Sequence, residues 1–367
     1  MRPFTFSVIT ATFNSEQYLE QTILSVFNQT YANIEYIIID GGSTDGTLDI
    51  INKYRHRIAA VVSEPDEGIY DAFNKGVRLA SGDVLSFLNS DDYFHDSNVL
   101  EQIAAVFSAR PELKITYGNV LMLDEKNNYE RPLGKLLTYE DFRYGEMCQH
   151  PSMFVRKELF AAHGPFDLSY QIVSDMEFAA YCFKHYEQYA QYFNRIVAVF
   201  RSGGVSSNPI RRKQLLEETQ RLIIQFFGQV PESMVKDVDI TGYYKIWLEN
   251  LLLQQQGISR SLRTKGINRV AIFGTMKTAL YLLEDLRLEF FEVVCFLDNN
   301  PNMQDKVISG IPVYSPDWLT VDRDQAVDAI LVSVETGKDI KVFEQLQRLY
   351  GQQNVALLSW KDLIQCL

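Results

Sequence analysis

Cysteine and histidine are scarce in this sequence, and neither type is grouped. The 367 residues include five histidines and four cysteines, and the cysteines stand at positions 148, 182, 295 and 366 without metal-ligand or redox spacing. We therefore expect reduced cysteines that serve in packing, as in proteins of a reducing compartment. Because the histidines are few and are not clustered with acidic residues, a metal-dependent phosphoesterase is disfavoured as well.

Long apolar runs and a surplus of positive charge are also missing. No stretch reaches the ~18 uninterrupted apolar residues of a membrane span, and no basic start followed by an apolar run marks a signal peptide, which predicts a cytoplasmic protein. Lys and Arg total 35 against 47 Asp and Glu, so the formal net charge is -12. Non-specific nucleic-acid binding depends on basic surfaces, and we expect no nucleic-acid partner.

What the chain does have is a pattern of alternating strands and helices. With 46% hydrophobic and 22% charged residues, it is long enough for two or three globular domains. Its first part alternates short apolar runs with segments of helical periodicity, which predicts βαβ units and a largely parallel sheet. The predicted strands cover residues 6–11, 34–39 and 84–88, and the predicted helices cover residues 15–28, 44–54 and 69–79.

Polar, loop-forming residues follow each of these predicted strands. Asn89, Asp91 and Asp92 follow the third strand, and Asp40 follows the second in a glycine-rich loop. The carboxyl ends of parallel strands share one edge of a sheet, where acidic oxygens can hold Mg²⁺ or Mn²⁺ against a phosphate. Asp40 can accept a hydrogen bond from a base or a ribose hydroxyl. Taken alone, the same residues also suit turns and helix caps without any ligand.

Four segments together resemble family 2 glycosyltransferases, which have the fold called GT-A. These segments are residues 10–14, 39–47, 66–76 and 88–92, in the family's order and at similar spacing, and the resemblance extends over residues 4–205. It implies an α/β domain that binds a nucleotide-diphosphate sugar, most often UDP-linked, uses a divalent cation and inverts the anomeric carbon. The implied acceptor is a hydroxyl of a saccharide or of a lipid-linked molecule, in polysaccharide or glycolipid synthesis.

The resemblance also implies roles for residues on the donor side. The residues matched to the nucleoside site are Thr10, Asn14 and Asp40. Asp91 and Asp92 match the aspartates that contact ribose and metal, and Asp92 is favoured as the metal ligand. Asn89 stands at the leading position of the stricter Asp-x-Asp pattern and carries no charge, so the choice between the two aspartates stays open.

On the acceptor side the resemblance depends on residues 172–178. Asp175 matches the family's general base, a carboxylate that takes the proton of the acceptor hydroxyl as the bond to the sugar forms. We expect Asp175 to begin a helix over residues 176–183 and Glu177 to support it. The alternative is a helix-capping aspartate with no part in catalysis.

Three further residues belong to family-like segments and have plain alternatives. Asn74 and Lys75 lie in segment 66–76, where Lys75 could neutralise the diphosphate of the donor, although a lysine in solvent fits equally well. His150 would contact the donor or the acceptor sugar, and a hydrogen-bonded structural histidine is the alternative. Residues 201–206 resemble a loop that ends the catalytic domain and closes over the diphosphate.

Beyond residue 208 the pattern changes. Residues 209–262 are predicted to form a helical connector, in which three basic residues at 211–213 precede an apolar stripe. A helix packed between domains explains this stripe, and peripheral contact with the inner face of the membrane is the alternative. Residues 263–367 resemble a small Rossmann-like domain. Only Gly274 of the Gly-x-Gly-x-x-Gly pattern is present, which favours a structural, regulatory or docking role over dinucleotide binding.

The sequence therefore predicts an α/β protein with a GT-A glycosyltransferase domain at residues 1–208, the helical connector and the Rossmann-like domain. Two other functions stay open. A sugar nucleotidyltransferase would share the fold class, although residues 10–14 lack its glycine-rich, basic triphosphate loop. A non-catalytic protein that binds nucleotide sugars is the second. The identity of the sugar, the acceptor and the formation of a homo-oligomer are not decided by the sequence.

Overall fold

The chain forms two compact units, residues 1–230 and residues 231–367. The structure is a computed structural model that describes residues 4–125, 129–202, 204, 211–231, 234, 240–318, 327–335, 339–351, 353 and 355–365. Cys366 and half of the predicted closing loop, residues 203, 205 and 206, lie outside the described residues. The division between the units falls inside the predicted connector, so its two halves belong to different units.

The first unit is built on a nine-stranded mixed sheet. Its strands are β1 Phe6–Thr12, β2 Ile34–Asp40, β3 Ala60–Ser63, β4 Val84–Phe87, β5 Tyr93–Phe94, β6 Ile115–Asp124, β7 Tyr129–Leu133, β8 Met153–Arg156 and β9 Ala190–Arg201. The order is β3-β2-β1-β4-β8-β6-β9-β5, with β7 paired to β6. Pairs among β1 to β4 are parallel, so β1, β2 and β4 end at one edge.

Helices cover both faces of this sheet. They are α1 Leu19–Phe27, α2 Thr47–Tyr54, α3 Ile69–Leu79, α4 Val99–Ala109, α5 Glu158–His163, α6 Ser174–Tyr186 and α7 Arg212–Phe227. β1 is buried along its whole length, and its side chains alternate between two apolar cores, Ile9 in one and Val8 in the other. This explains why β1 is a continuous apolar run without polar alternation.

The predicted helices are present, and one of them has the predicted bounds. α3 covers residues 69–79 as expected, because Phe73 and Gly76 pack it closely on the sheet. α1 begins four residues later than predicted, and Ser15 does not cap it: the Ser15 hydroxyl lies 2.7 Å from that of Ser90. The expectation that Ser15 begins the helix is therefore wrong, because a partner from another loop uses its side chain.

α7 packs into the core of the first unit. Leu222 is fully buried in the same core as α6, and the ring of Phe227 stacks on that of Tyr139 with centroids 4.7 Å apart. The following helix, α8 Ile240–Leu253, belongs to the second unit, where Trp247 is buried. Among the helices that the structure describes, none is both long and apolar enough to cross a membrane.

The second unit is a smaller α/β layer structure. Its strands are β10 Arg269–Phe273, β11 Glu292–Leu297, β12 Val307–Ile308, β13 Ile311–Tyr314, β14 Ala329–Val332 and β15 Ala356–Ser359. Its other helices are α9 Ile258–Thr264, α10 Lys277–Leu288, α11 Asp339–Tyr350 and α12 Trp360–Gln365. The order is β12-β13-β11-β10-β14-β15, and all pairs except β12-β13 are parallel.

β10 lies near the middle of this second sheet, as a Rossmann-like arrangement requires. Ile272 faces one apolar core and Phe273 faces the other, so both sides of the sheet are covered. Gly274 turns the chain after β10 with φ of 102°, and the Thr275 hydroxyl donates to the carboxylate of Asp298. Met276 occupies the second glycine position of the pattern, and it is 43% exposed.

Candidate active site

The loops after β1, β2 and β4 are joined by side-chain hydrogen bonds. Asn14 has a φ of 49°, and its side-chain Oδ1 accepts from the Thr44 backbone amide at 2.9 Å. The backbone N–H of Asn14 donates to the Ser43 hydroxyl at 2.8 Å. The Ser15 and Ser90 hydroxyls lie 2.7 Å apart. The three strand ends therefore form one continuous surface, as the parallel order of β2, β1 and β4 predicts.

Asp40 lies beneath this surface and bonds to the loop after β2. Its carboxylate is fully buried, and Oδ2 accepts from the Ser43 amide at 3.1 Å and the Ser63 hydroxyl at 2.6 Å. Thr10 is also buried, with its hydroxyl 3.1 Å from that of Tyr36. Both residues lie beneath the loops, so direct contact of their side chains with a nucleoside stays a prediction.

Asp92 presents a buried carboxylate oxygen without a partner. Oδ1 accepts from the Arg201 amide at 3.1 Å, whereas Oδ2 has no hydrogen bond. Burial, together with the neighbouring charge of Asp91, raises the pKa of Asp92 well above its ordinary value. Asn89 Oδ1 is a second buried oxygen without a partner. Buried acceptors nearly always have a hydrogen-bond partner in native proteins. A bound cation would satisfy both of these oxygens, because carboxylate and amide oxygens are suitable ligands for Mg²⁺ and Mn²⁺.

Asp91 lies beside Asp92 and is partly exposed. Its carbonyl oxygen accepts from Arg201 Nη1 at 2.5 Å, and burial raises the pKa of its carboxyl group. Arg201 also donates to Gln21 at 2.6 Å and to Glu125 at 3.0 Å. One guanidinium at the end of β9 thus fixes the loop that carries both aspartates.

His150 bridges the Asp92 loop and Asp175. Its Nε2 lies 2.9 Å from Asn89 Nδ2 and 4.0 Å from Asp92 Oδ2, and its Nδ1 lies 3.5 Å from Asp175 Oδ2. With Asn89 donating through Nδ2, Nε2 accepts and the proton sits on Nδ1, on the side of Asp175. Burial lowers the pKa of His150, which keeps the ring neutral at pH 7.

Asp175 lies in the first turn of α6, whose first residue is Ser174. Its Oδ1 accepts from the Tyr70 hydroxyl at 2.8 Å and from the Met176 amide at 2.9 Å. Val173 occupies the cap position, so the helix begins two residues earlier than predicted and Asp175 is its second residue instead of its cap. One carboxylate oxygen is held by the protein, and the other faces His150.

Asn74, Lys75 and Glu177 point to other partners. Asn74 is buried, and its amide group makes both of its hydrogen bonds with the backbone of Phe166, at 2.8 and 2.9 Å. Lys75 lies 3.0 Å from Glu64 and 3.3 Å from Asp71. Glu177 pairs with His163 at 2.9 Å and not with Asp175. A donor contact for Asn74 or Lys75 stays a prediction that would require these bonds to be exchanged.

The described residues contain no group of three or more His, Cys, Asp or Glu arranged around a metal. Mg²⁺ and Mn²⁺ at nucleotide sites commonly take one or two carboxylates from the protein and their remaining ligands from phosphate and water. Asp92 Oδ2 and Asn89 Oδ1 fit such an open site, in which a bound diphosphate would complete the ligand set.

Comparison with known proteins agrees with this geometry. The sequence model described as glycosyl transferase family 2 matches residues 7–163. A PGL/p-HBAD biosynthesis glycosyltransferase of Mycobacterium tuberculosis is 31% identical over 215 residues, which are 58% of this chain and 82% of that protein. The chain belongs to glycosyl transferase family 2. An uncharacterized glycosyltransferase of Haemophilus influenzae is 30% identical over 207 residues, 54% of this chain and 80% of its own length.

Solved structures show that this glycosyltransferase has the predicted fold. S. aureus TarS 1-349, solved in complex with UDP, superposes with a TM-score of 0.50 at 19% identity over 72% of this chain and 78% of that chain. Its complex with UDP-GlcNAc gives 0.51 at 18% identity over 71% and 77%. The likeness is one of fold, and it confirms the predicted GT-A class.

Sequence reasoning assigned no individual role to three residues that lie next to the candidate site. Tyr70 contacts Asp175 and Arg201 holds the Asp91 loop, yet both partners are more than a hundred residues away in sequence. Phe13 directly precedes Asn14 and is 61% exposed. A large aromatic residue between polar residues at the end of a strand was the available signal for Phe13, because an apolar side chain there has no core to join.

Proposed function

We propose that this glycosyltransferase moves one sugar from a UDP-sugar to an acceptor hydroxyl with inversion of the anomeric carbon. The observation that carries the proposal is the continuous contact from Asp92 through His150 to Asp175, next to the joined loops after β1, β2 and β4. Sugar transfer requires a site for the leaving diphosphate and a base for the acceptor, separated by about the width of one sugar. In this proposal Asp92 belongs to the diphosphate site and Asp175 is the base.

Asp92 and Asn89 are the residues that would hold a divalent cation, Mg²⁺ or Mn²⁺. When bound, the cation neutralises the charge that develops on the departing diphosphate. Asp91, half-buried on the same loop, is the residue that would contact the ribose. The backbone N–H of Arg201 and its guanidinium keep the loop in position before the donor arrives.

Asp175 acts as the general base in this proposal. Tyr70 and the Met176 amide hold Oδ1, so Oδ2 is the oxygen that takes the proton of the acceptor hydroxyl. The hydroxyl oxygen forms its bond to the anomeric carbon as the bond from that carbon to the diphosphate oxygen breaks. Attack from the face opposite the leaving group inverts the anomeric configuration. His150 lies between base and cation site, where it would contact the sugar.

The acceptor is proposed to be a hydroxyl of a saccharide or lipid-linked molecule in polysaccharide or glycolipid assembly. The names of the Mycobacterium relatives, PGL/p-HBAD biosynthesis glycosyltransferase, support a biosynthetic role. A homo-oligomer and a peripheral membrane contact belong to the same proposal as ways to bring the enzyme to a lipid-linked acceptor.

A panel of nucleotide sugars tests the donor class. UDP-, GDP-, dTDP- and CMP-sugars are each added with Mn²⁺, and both the thermal shift and nucleotide release are measured. We expect a UDP-sugar to give the largest shift and the fastest release, with both effects lost in EDTA. Stabilisation by another nucleotide with none by any uridine compound would overturn the UDP assignment.

Phe13→Ala is expected to weaken UDP binding. The exposed ring beside Asn14 offers a stacking surface for the base, and removing such a ring costs about 1–3 kcal/mol per base. Calorimetric titration with UDP and Mn²⁺ should therefore show a Kd roughly 5- to 150-fold higher. Phe290→Ala is the matched control, because Phe290 is 92% exposed in the second unit and should leave the Kd unchanged. An unchanged Kd for Phe13→Ala would remove the stacking role.

A further inference from the structure

One face of α7 carries a polar strip in a helix that otherwise packs through apolar residues. The strip consists of Gln214, Glu218, Arg221 and Gln225, spaced four, three and four residues apart, so all four lie on one side of the helix. Glu218 is 92% buried, since only 8% of it is exposed. Of the four, only Glu218 is buried. A buried carboxylate requires partners, and these partners lie in the segment that leads into α6.

The polar strip of α7 contacts residues 169–172 one after another. Gln214 donates to the Gln171 side chain at 3.0 Å, and Arg221 donates to the Ser169 carbonyl at 2.7 Å. The Tyr170 hydroxyl donates to Gln225 at 2.9 Å, and the guanidinium of Arg221 lies over the Tyr170 ring at 3.9 Å.

Glu218 makes the contacts closest to Asp175. Its carboxylate accepts from the backbone amide of Gln171 at 3.1 Å and from that of Ile172 at 2.9 Å. On the other side of the same residue, the Ile172 carbonyl accepts from the Tyr70 hydroxyl at 2.7 Å, and that hydroxyl also lies 2.8 Å from Asp175 Oδ1. Ile172 is thus held at its N–H by α7 and at its C=O by α3, three residues before the proposed base.

We propose that Glu218 is a positioning residue for Asp175. Through Glu218, α7 supports the catalytic site instead of serving only as a connector. The inference depends on the proposed function through the role of Asp175. Charge-assisted bonds to two backbone amides fix the path of the chain into α6, and losing them leaves both amides without their partner. A displacement of about 1 Å in a reacting group can cost on the order of 100-fold in rate.

The test compares Glu218→Ala and Glu218→Gln with Glu217→Gln as the matched control. Glu217 is the adjacent acid on α7, its side chain is 63% exposed, and its ion pair is with Lys213 at 3.7 Å. Hydrogen–deuterium exchange of a peptide covering residues 168–176 reports on the two amides without any ligand. UDP release from UDP-GlcNAc and UDP-glucose with Mn²⁺ reports turnover, and calorimetry with UDP and Mn²⁺ reports donor affinity.

We expect Glu218→Ala to speed exchange of the Gln171 and Ile172 amides at least tenfold and to lower kcat about 10- to 100-fold, with the Kd for UDP unchanged within twofold. Glu218→Gln keeps one acceptor oxygen and should recover part of both effects, and Glu217→Gln should match the wild type. Tyr70→Phe removes only one hydroxyl and should lower kcat with UDP affinity retained, which keeps the test decisive if Glu218→Ala does not fold.

Two outcomes would overturn the inference. One is unchanged exchange in the Glu218 variants, and the other is faster exchange with wild-type kcat. The failure of the proposed function looks different: Asp175→Asn would then keep wild-type turnover, whatever the Glu218 variants do. If Asp175→Asn is inactive and Glu218→Ala and Tyr70→Phe are fully active, only the positioning role fails.

Discussion

We expect Asp175→Asn to lower sugar transfer by about 10²- to 10⁴-fold, the range that general-base catalysis contributes. The substitution preserves size, and an asparagine Oδ1 can still accept from Tyr70 and from the Met176 amide. What it loses is the proton acceptor at Oδ2, the oxygen that faces His150. Initial rates of nucleotide release at saturating donor measure the loss in kcat.

The same variant should leave the affinity for the donor unchanged, because the proposed nucleoside and diphosphate contacts lie on the loops after β1, β2 and β4. Calorimetry with UDP and Mn²⁺ should give a Kd within twofold of the wild type. Asp49→Asn is the matched control, since Asp49 is an exposed acid on α2. Transfer at the wild-type rate by Asp175→Asn would show that another group takes the proton.

We expect Asp92→Asn to abolish the response to the divalent cation and to lower transfer at least about 10²-fold, since metal stabilisation of a leaving group supplies several kcal/mol. In the wild type, Mn²⁺ with UDP should raise Tm strongly, whereas the variant should show little shift. Without cation the variant should be the more stable protein, because a buried carboxylate oxygen without a partner is destabilising. A gain of roughly 1 kcal/mol corresponds to about 2–4 °C in Tm.

This stability difference should depend on pH in a defined direction. The folded state raises the pKa of Asp92 above its unfolded value of about 3.9, so the folded protein keeps a proton that the unfolded chain has lost. Metal-free wild type should therefore lose stability relative to Asp92→Asn as pH rises above about 4, until the raised pKa is passed. Unfolding midpoints in EDTA at several pH values measure this difference.

Asp91→Asn distinguishes the roles of Asp91 and Asp92, because the sequence leaves open which of them binds the metal. Asp91 is partly exposed, and its carbonyl, not its carboxylate, is the group bonded to Arg201. We expect this variant to weaken UDP binding and to keep a Mn²⁺-dependent shift. Loss of the cation response in Asp91→Asn with its retention in Asp92→Asn would reverse the assignment.

The fold of the first unit could be predicted from the sequence where strands are buried along most of their length. β1, β2 and β4 are fully or mostly buried apolar runs, and Phe73 and Gly76 fix α3 on the sheet, so local pattern and tertiary packing agree there. The first residues of helices were harder to predict. Ser15 has the right side chain for a cap, yet its hydroxyl meets Ser90, 75 residues away. Local capping rules cannot include such a partner.

The site shows the same limit. Asp92 and Asp175 could be picked from their motifs, and the structure brings them to the two sides of His150. The contacts of Arg201 and Glu218 could not, because each side chain bonds to backbone groups of a distant segment. The same holds for α7, because an amphipathic pattern shows that a helix packs, without showing on what.

Anomalous diffraction from a crystal grown with UDP and Mn²⁺ tests the central claim most directly. The account predicts one strong manganese peak within coordination distance of Asp92 Oδ2, with Asn89 Oδ1 beside it, the uridine on the loops after β1 and β2, and Asp175 facing the open side of the diphosphate. Manganese and UDP bound in a different pocket, with Asp92 Oδ2 still without a partner, would contradict it.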